Sequence, residues 1–480
     1  MPNSNSFRFD NSYLTLPEIF YSLAKPSAFT KPVLVLFNAP LSSDLDLHHF
    51  QPESLVSFLY ENHDLNSFAQ AYAGHQYGHF TMLGDGRAII LGEHLTSDNL
   101  RFDIQLKGSG RTAYSRRGDG KATLRAMLRE YLISEAMHHL GIPSSRTIAV
   151  VKTGEMVFRE SIQPGAAAVR VMKSHIRVGT FEFAARFGTL PDLTALTLYT
   201  IRRLYPELLD DENPPLSFLK KVIRVQLALV AQWMRVGFIH GVMNTDNTAI
   251  SGETFDYGPC AFMNVFDPKT VYSSIDHHGR YAFGNQPNII QWNLARFAEA
   301  LIPTLHPEKD AARQLAQDAI NEANTLWQET FTDTMLKKIG IEQNQSKYAS
   351  LIHDLFNLMH THHLDYTNTF LALREPSLYE TAIQNNPIFQ PWLESWQNAV
   401  EATSTPARAN EVMSSRNPAF IPRNHLVETA LDAAEMGDMH TFEQLLQVLA
   451  HPYDFKPEFA EYSLPSHRQF EEGYRTFCGT

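Results

Sequence analysis

Hydrophobic and polar residues alternate most cleanly over Arg101–Lys107, where Phe102, Ile104 and Leu106 share one face and Arg101, Asp103, Gln105 and Lys107 the other. That period of two predicts a half-buried strand. An apolar strand at 88–92 precedes it, entered through the turn Met82-Leu-Gly-Asp-Gly-Arg87. Beyond it, strands at 147–151 and 156–160 flank Lys152-Thr-Gly-Glu155 as a hairpin, and a further strand covers 167–172. Between them the period lengthens. Leu124, Leu128 and Tyr131/Leu132 recur at helical spacing from 122 to 139, with Gly141 as the stop. Residues 1–80 read as an irregular lead-in with one helix at Pro52–Tyr60. After 172 the pattern is helical: 181–187, 193–205, a long apolar helix capped by Ser217 and running to 234 after Pro214-Pro215 ends the preceding segment, then 289–302, 311–336, 352–359 and 427–449. Thr403-Ser-Thr-Pro reads as a linker or loop. A small sheet with one helix against it, followed by many helices, predicts an α+β fold.

Composition narrows the class. A chain of 480 residues with 44% apolar content buries a substantial core, in two or three domains. A net charge of -12 argues against a surface that coats nucleic acid. Two cysteines, Cys260 and Cys478, exclude a disulfide scaffold and a four-cysteine zinc site. No basic segment leads into an apolar run at the N-terminus, and no run of ~18 uncharged apolar residues occurs. The expectation is a cytoplasmic monomer with neither a nucleic-acid nor a membrane partner.

Four stretches carry chemistry. The first is the glycine turn Leu83-Gly-Asp-Gly-Arg87, whose backbone N–H groups can approach an anion, although such turns commonly only close hairpins. The second is Lys107, a cation for phosphate at the end of the alternating strand. The third is a glutamate on the next helix. Glu130 and Glu135 lie roughly 140° apart around it, so one of them faces the sheet. The stripe of Leu124, Leu128 and Tyr131 is the more apolar and carries Glu135; that of Met127, Ser134 and Met137 carries Glu130. Periodicity leaves the choice open. The fourth is His240-Gly-Val-Met-Asn-Thr-Asp-Asn247, then Asp256-Tyr-Gly258. Asn247 and Asp256 are hard oxygen ligands for a divalent metal held against phosphates. Small-molecule kinases resemble this stretch, with His-Gly-Asp, an Asn five places beyond that Asp, and a later metal-binding Asp. Here Val242 stands where the catalytic Asp belongs, and the nearest carboxylate is Asp246. His75 and His79 have metal-ligand spacing but sit in a glycine-containing loop, and Asp276-His-His278 is more simply solvated.

The order of these pieces resembles the two-lobed plan of a protein kinase. A more specific likeness covers nearly the whole chain. Tyr72-Ala-Gly-His-Gln-Tyr-Gly78, Gln105-Leu-Lys-Gly-Ser-Gly-Arg-Thr112, Tyr114-Ser-Arg-Arg-Gly-Asp-Gly120, Ser134-Glu-Ala-Met-His-His-Leu-Gly-Ile-Pro143, Ser174-His-Ile-Arg-Val-Gly-Thr180 and the loop at 240–259 resemble the selenoprotein O family. That likeness implies a protein-kinase-like two-lobed fold with additional C-terminal helices. The bounds drawn are 1–80 for the lead-in, 81–175 for the N-lobe with a nucleotide-binding insertion, 176–390 for the helical C-lobe, and 391–480 for the helical extension and tail. It also implies ATP bound in a flipped orientation and transfer of AMP, with magnesium or manganese, to Ser, Thr or Tyr of protein substrates.

By the same resemblance Lys107 pairs with Glu130, and Gly84, Gly86, Arg87, Asp119, Gly120, Arg170 and Arg177 contact ATP. Asp246 is the proton acceptor, and Asn247 and Asp256 hold the metal, Asp256 also touching the nucleotide. The competing expectations are ordinary phosphoryl transfer from ATP and a nucleotide-sensing pseudokinase without catalysis. One departure stands out. Family members pair a C-terminal cysteine or selenocysteine with a cysteine in the activation-loop segment; the loop position here carries Tyr272, leaving Cys260 as the partner available to Cys478. Redox control is therefore in doubt, and a free Cys260 is the default.

Overall fold

The computed structural model describes residues 7–48, 50–60, 66–343, 345–374, 383 and 386–477. In chain order the first half contains β1 (Tyr21–Leu23), β2 (Val33–Phe37), α1 (Ala39–Asp44), α2 (Pro52–Tyr60), β3 (Phe68–Gln70), β4 (Ala73–Gln76), β5 (His79–Met82), β6 (Ala88–Leu95), β7 (Arg101–Lys107), β8 (Ala122–Thr123), α3 (Leu124–His139), β9 (Arg146–Phe158) and β10 (Ile162–Met172). Eight strands form one sheet in the order β1-β3-β6-β7-β10-β9-β2, with β8 pairing β10; β4 and β5 make a separate hairpin. Every pairing in the large sheet is antiparallel.

The strand β7 has the bounds its alternation predicts, but both its faces are covered. Ile104 and Leu106 pack with Leu41 of α1 and Leu55 of α2. The polar face turns toward α3, and Asp103, Gln105 and Lys107 are all buried. The lead-in is not irregular: it supplies β1, β2 and β3 to the sheet. Val33-Leu-Val-Leu-Phe37 is an unbroken apolar run, so a test for alternation passes over it. Nor is there a hairpin at 152–155. β9 runs straight through those residues, and the chain reverses instead at 159–161. Gly154 sits at φ 81°, and a side chain there would meet the Lys31 backbone nitrogen at 2.5 Å, so the glycine marks an irregularity inside a strand.

The second half is helical around one small hairpin. It contains α4 (Val178–Phe187), α5 (Leu190–Leu204), α6 (Pro214–Val236), β11 (Phe238–Ile239), β12 (Ala261–Phe262), α7 (Gln286–Leu305), α8 (Lys309–Lys338), α9 (Gln345–Thr361), α10 (Tyr366–Arg374), α11 (Gln390–Thr403), α12 (Pro406–Ser414), α13 (Asn424–Glu435), α14 (His440–Leu449) and α15 (Arg468–Gly473). Pro214 and Pro215 open α6 rather than ending what precedes it. Asn213, not Ser217, caps it, accepting from Leu216 N at 3.2 Å, and a proline in the first turn costs no helical hydrogen bond. The stretch 427–449 splits into α13 and α14 at Gly437, which lies at φ 94°. The expected linker at Thr403–Pro406 is a tight corner in which Thr405 caps α12. Helices α10 to α12 are not among the elements expected from the pattern. No described helix is long and apolar enough to cross a membrane.

The mixed α+β architecture is knitted across its length by buried charge. Arg423, at the start of α13, donates to both oxygens of Asp365 at 2.7 and 3.0 Å and to Asn264 Oδ1 at 2.6 Å. Near the C-terminus Thr476 N donates to Tyr272 O at 2.8 Å, and Tyr272 Oη to Glu471 at 3.1 Å. Cys260 is a buried free thiol donating to Tyr257 O, its pKa pushed up to about 12 by burial. Cys478 lies outside the described residues.

One buried acid makes stability depend on pH. Burial pushes the carboxyl of Glu253 up to about 7 from a model-compound value of 4.5. The folded state therefore holds this proton more tightly than the unfolded one. Its contribution is complete below about pH 4.5 and is lost as pH rises toward 7, by about 3 kcal/mol at most. Glu253→Gln is expected to flatten the fall in melting temperature over that window. An unchanged slope would show that the proton is held elsewhere.

Candidate functional site

The site is built where the ends of β6, β7 and β10 meet the loop joining β11 to β12. A cavity of about 370 Å³ lies there, lined among others by Gly84, Gly86, Arg87, Lys107, Asp119, Gly120, Arg170, Arg177, Val242, Asp246, Asn247 and Asp256. The structure thus gathers into one cavity residues as far apart in the chain as Gly84 and Asp256.

Four charges form its inner wall. Lys107 Nζ donates to Glu130 at 2.6 Å and to Asp256 at 2.6 Å. The other Glu130 oxygen accepts from Arg170 Nε at 2.7 Å, and that guanidinium lies 3.7 Å from Asp256. Burial opposes ionisation of Glu130, but Arg170 and Lys107 outweigh it and hold the carboxyl below its usual range. Burial likewise opposes charge on Asp256, and Lys107, Arg170 and Arg87 together pull it far down. Both carboxylates stay ionised. Glu135, the other candidate on α3, points elsewhere and forms a two-pronged pair with Arg146 at 2.6 and 3.0 Å. Both glutamates are buried and both are paired, which is why the stripe alone could not choose between them.

The roof is the glycine turn. Gly84 adopts φ 122° with Tyr114 packed where a side chain would go. Ser115 Oγ donates to Gly86 O at 2.5 Å and Thr112 Oγ1 to Asp85 O at 2.6 Å, so the insertion after β7 clamps the turn from outside. Within that insertion Asp119 accepts from both arms of Arg159 at 2.9 and 3.0 Å. Gly120, at φ 71°, packs against the Gly110 backbone with no room for a Cβ.

The floor is the loop. His240 Nε2 lies 3.1 Å from Phe255 O, and Asn293 Nδ2 donates to Met243 O at 3.0 Å, fixing both ends. Residues Thr245–Asn247 form a single 3-10 turn. Asn247 Nδ2 donates to Val242 O at 3.0 Å, which leaves the amide oxygen as its ligating group. Asp256 takes φ 66°, a left-handed conformation that an Asp tolerates better than most residues. Asp246 is buried, and its Oδ1 has no hydrogen-bond partner. Burial, only partly offset by Arg177, pushes its carboxyl up to about 7. Arg177 is locked from several sides. Its guanidinium donates to His175 O at 3.1 Å and Asp246 O at 3.3 Å, and lies 4.0 Å from the Tyr72 ring centre.

Several lining residues had no role from sequence. Tyr72 and Gln76 fall inside the stretch beginning Tyr72-Ala-Gly, quoted above only for its likeness, and Asp85 inside the glycine turn. Arg159 could have been found only through its partner Asp119. His75 Nδ1 meets Glu182 Oε1 at 2.5 Å. Asp276 accepts the backbone N–H groups of Arg280 and Tyr281. Among the described residues no cluster of three or more His, Cys, Asp or Glu is arranged to hold a metal ion. An oxygen site completed by Asn247 would not fall in such a set.

Such a cavity joins cations for phosphate to hard oxygen ligands and one buried carboxylate with an oxygen left unpaired among the described residues. The chain matches, over residues 4–450, the model of a family described as protein adenylyltransferase SelO. It is 51% identical to the protein nucleotidyltransferase YdiU of Alkaliphilus metalliredigens over 99% of this chain and 98% of that one. The similarly described protein of Brevibacillus brevis is 52% identical over 99% and 98%. That of Clostridium perfringens is 47% identical over 100% and 99%.

Proposed function

Because the chain belongs to the SelO family of protein adenylyltransferases, we propose that the cavity between β7 and the 240–256 loop is where it transfers AMP from ATP to protein hydroxyls. The protein is an enzyme of that class, and pyrophosphate is its second product. The observation that carries the assignment of roles is the pairing of Val242 with Asp246. Where a kinase-like loop would carry its base there is an aliphatic side chain, while a buried carboxylate with an unpaired oxygen lines the same cavity.

In this proposal Lys107, Arg170 and Arg177, with Arg87 and the N–H groups of Gly84 and Gly86, hold the outward phosphates. Glu130 orients Lys107. Asp119 and Gly120, which line the same cavity, contact the nucleotide. Asp246 takes the proton of the attacking Ser, Thr or Tyr hydroxyl. The Asn247 amide oxygen and the Asp256 carboxylate are hard donors suited to magnesium, or manganese, which when bound neutralises charge on the phosphate oxygens. The strands and α3 of 81–175, joined by the three strands of the lead-in, then make one lobe and the helices from 176 to 390 the other, in a kinase-like arrangement extended by 391–480. A cytoplasmic monomer acting on protein partners fits a chain of net charge -12.

Single-turnover reactions with ATP labelled at the α or the γ position test this. Label from the α position should appear on protein, with pyrophosphate released. Label arriving only from the γ position would make the enzyme a phosphotransferase, and binding without any covalent product would make it a pseudokinase.

A further inference from the structure

The hairpin β4–β5 is one wall of the catalytic turn. A Cβ on Gly74 would collide with the Asp246 carboxylate. His75 N donates to Thr245 Oγ1 at 2.7 Å, and Tyr77 N to Asn244 Oδ1 at 3.1 Å. The outer side of the same hairpin carries a strip that the proposed reaction leaves unused. The His75 ring lies edge-on to Phe80 at 5.3 Å and to Trp292 at 5.1 Å, and Phe80 reaches Phe187 at 6.3 Å. Phe80, Met82 and Phe187 are 39%, 48% and 46% exposed, in a region continuous with the wall of the site.

The charge along this strip is of one sign. Arg186 lies over Phe80 at 5.9 Å and Arg280 over Trp292 at 4.9 Å. Neither forms an ion pair with another described residue, whereas Arg296, beside Trp292, pairs with Glu299 on its own helix. Two buried carboxylates beside the strip are committed, Glu182 to His75 and Thr245 and Asp276 to the backbone N–H groups of Arg280 and Tyr281. In a chain of net charge -12, uncompensated arginines among exposed aromatic rings beside a catalytic turn are a local reversal of sign.

We propose that this strip docks the acceptor protein, and that it selects segments in which acidic and apolar side chains flank the modified hydroxyl. The proposal rests on the adenylyl-transfer assignment for the site beside it. Carboxylates of the segment meet Arg186 and Arg280. Its apolar side chains cover Phe80, Met82 and Phe187, while the hydroxyl passes the Gly74 edge of the hairpin toward Asp246.

The test uses the full chain and synthetic peptides of about a dozen residues, each with one acceptor hydroxyl. One set has Asp, Glu, Leu and Phe as flanks; in a second Lys replaces the acids; in a third Ser replaces the apolar residues. Binding is read by fluorescence anisotropy and transfer by α-labelled ATP. The acidic-apolar set should bind about tenfold more tightly than either other set, and less so at high salt. Arg186→Glu and Phe187→Ser should each raise KM for that set several-fold with little change in kcat, and Arg186→Glu should improve the Lys-flanked set. Equal binding of all three sets by the unaltered protein, or unchanged KM in both variants, would overturn the docking surface. So would variants that shift only the sedimenting mass, since the strip would then join two copies of the chain. Selective binding with label moving from the γ position instead would uphold the surface and overturn adenylyl transfer.

Discussion

Asp246→Asn is expected to slow single-turnover AMP transfer by about 10²-fold or more while ATP and magnesium affinity stay nearly unchanged. Asparagine has the same shape, so the cavity and the hydrogen bond of Arg177 to the backbone oxygen of residue 246 survive. What disappears is a proton acceptor. Burial raises the proton affinity of this carboxyl, which is the tuning a base working near neutrality needs. Asp256→Ala should behave differently, weakening metal binding before anything else. Val242→Asp restores a carboxylate to the kinase position, yet γ-phosphoryl transfer should not appear, because the flipped nucleotide presents its α-phosphate to the acceptor. An Asp246→Asn enzyme with the wild-type rate would end the proposed mechanism, and a Val242→Asp enzyme competent in γ-transfer would remove the flipped nucleotide.

Lys107→Ala should cost about 10²- to 10³-fold in transfer, the range for losing one preorganised charge at developing negative charge. Its structural consequences are contained. Glu130 keeps its ion pair with Arg170 at 2.6 Å, and Asp256, whose side chain is 30% exposed, keeps Arg170 at 3.7 Å, so neither carboxylate is left without a cation. Circular dichroism and the melting temperature should therefore stay near wild type while activity collapses. Near-normal transfer with an intact fold would take Lys107 out of the site.

Much of the sheet, and the loop from His240 to Asp256, were legible because they rest on local patterns: alternation, glycine turns, and carboxylates beside an Asn. The failures share one cause, a second partner that periodicity does not see. On α3, Glu130 and Glu135 both reach cations on the sheet, Glu130 meeting Lys107 of β7 and Arg170 of β10 and Glu135 meeting Arg146 of β9, while helices from the far end of the chain cover the opposite face. Arg125 and Arg129 reach Glu428 of α13, and Arg125 also reaches Asp432 and Glu435. With every side of α3 enclosed, the apolar stripe loses its contrast, and only likeness to the family could favour Glu130. Arg170 is a similar case. In Ala-Val-Arg-Val it reads as a strand residue facing water; its place between Glu130 and Asp256 depends on residues 40 and 86 positions away. The edge strands failed for other reasons: β2 is an uninterrupted apolar run with no alternation to detect, and β1, Tyr21–Leu23, is too short to show a period.

Those edge strands impose a schedule on biosynthesis. The first 37 residues hold both outermost strands, β1 on one border and β2 on the other. β1 can find β3 early, but Val33 of β2 pairs with Lys152 of β9. That partner emerges from the ribosome roughly 120 residues later, or roughly 6–24 s at ordinary elongation rates. Until then Val33-Leu-Val-Leu-Phe37 is a nascent apolar β segment without a mate, the kind of stretch that chaperones shield and that aggregates when they do not. Slower translation prolongs that exposure, so yield on overexpression should depend on holdase supply more than on the stability of the finished fold.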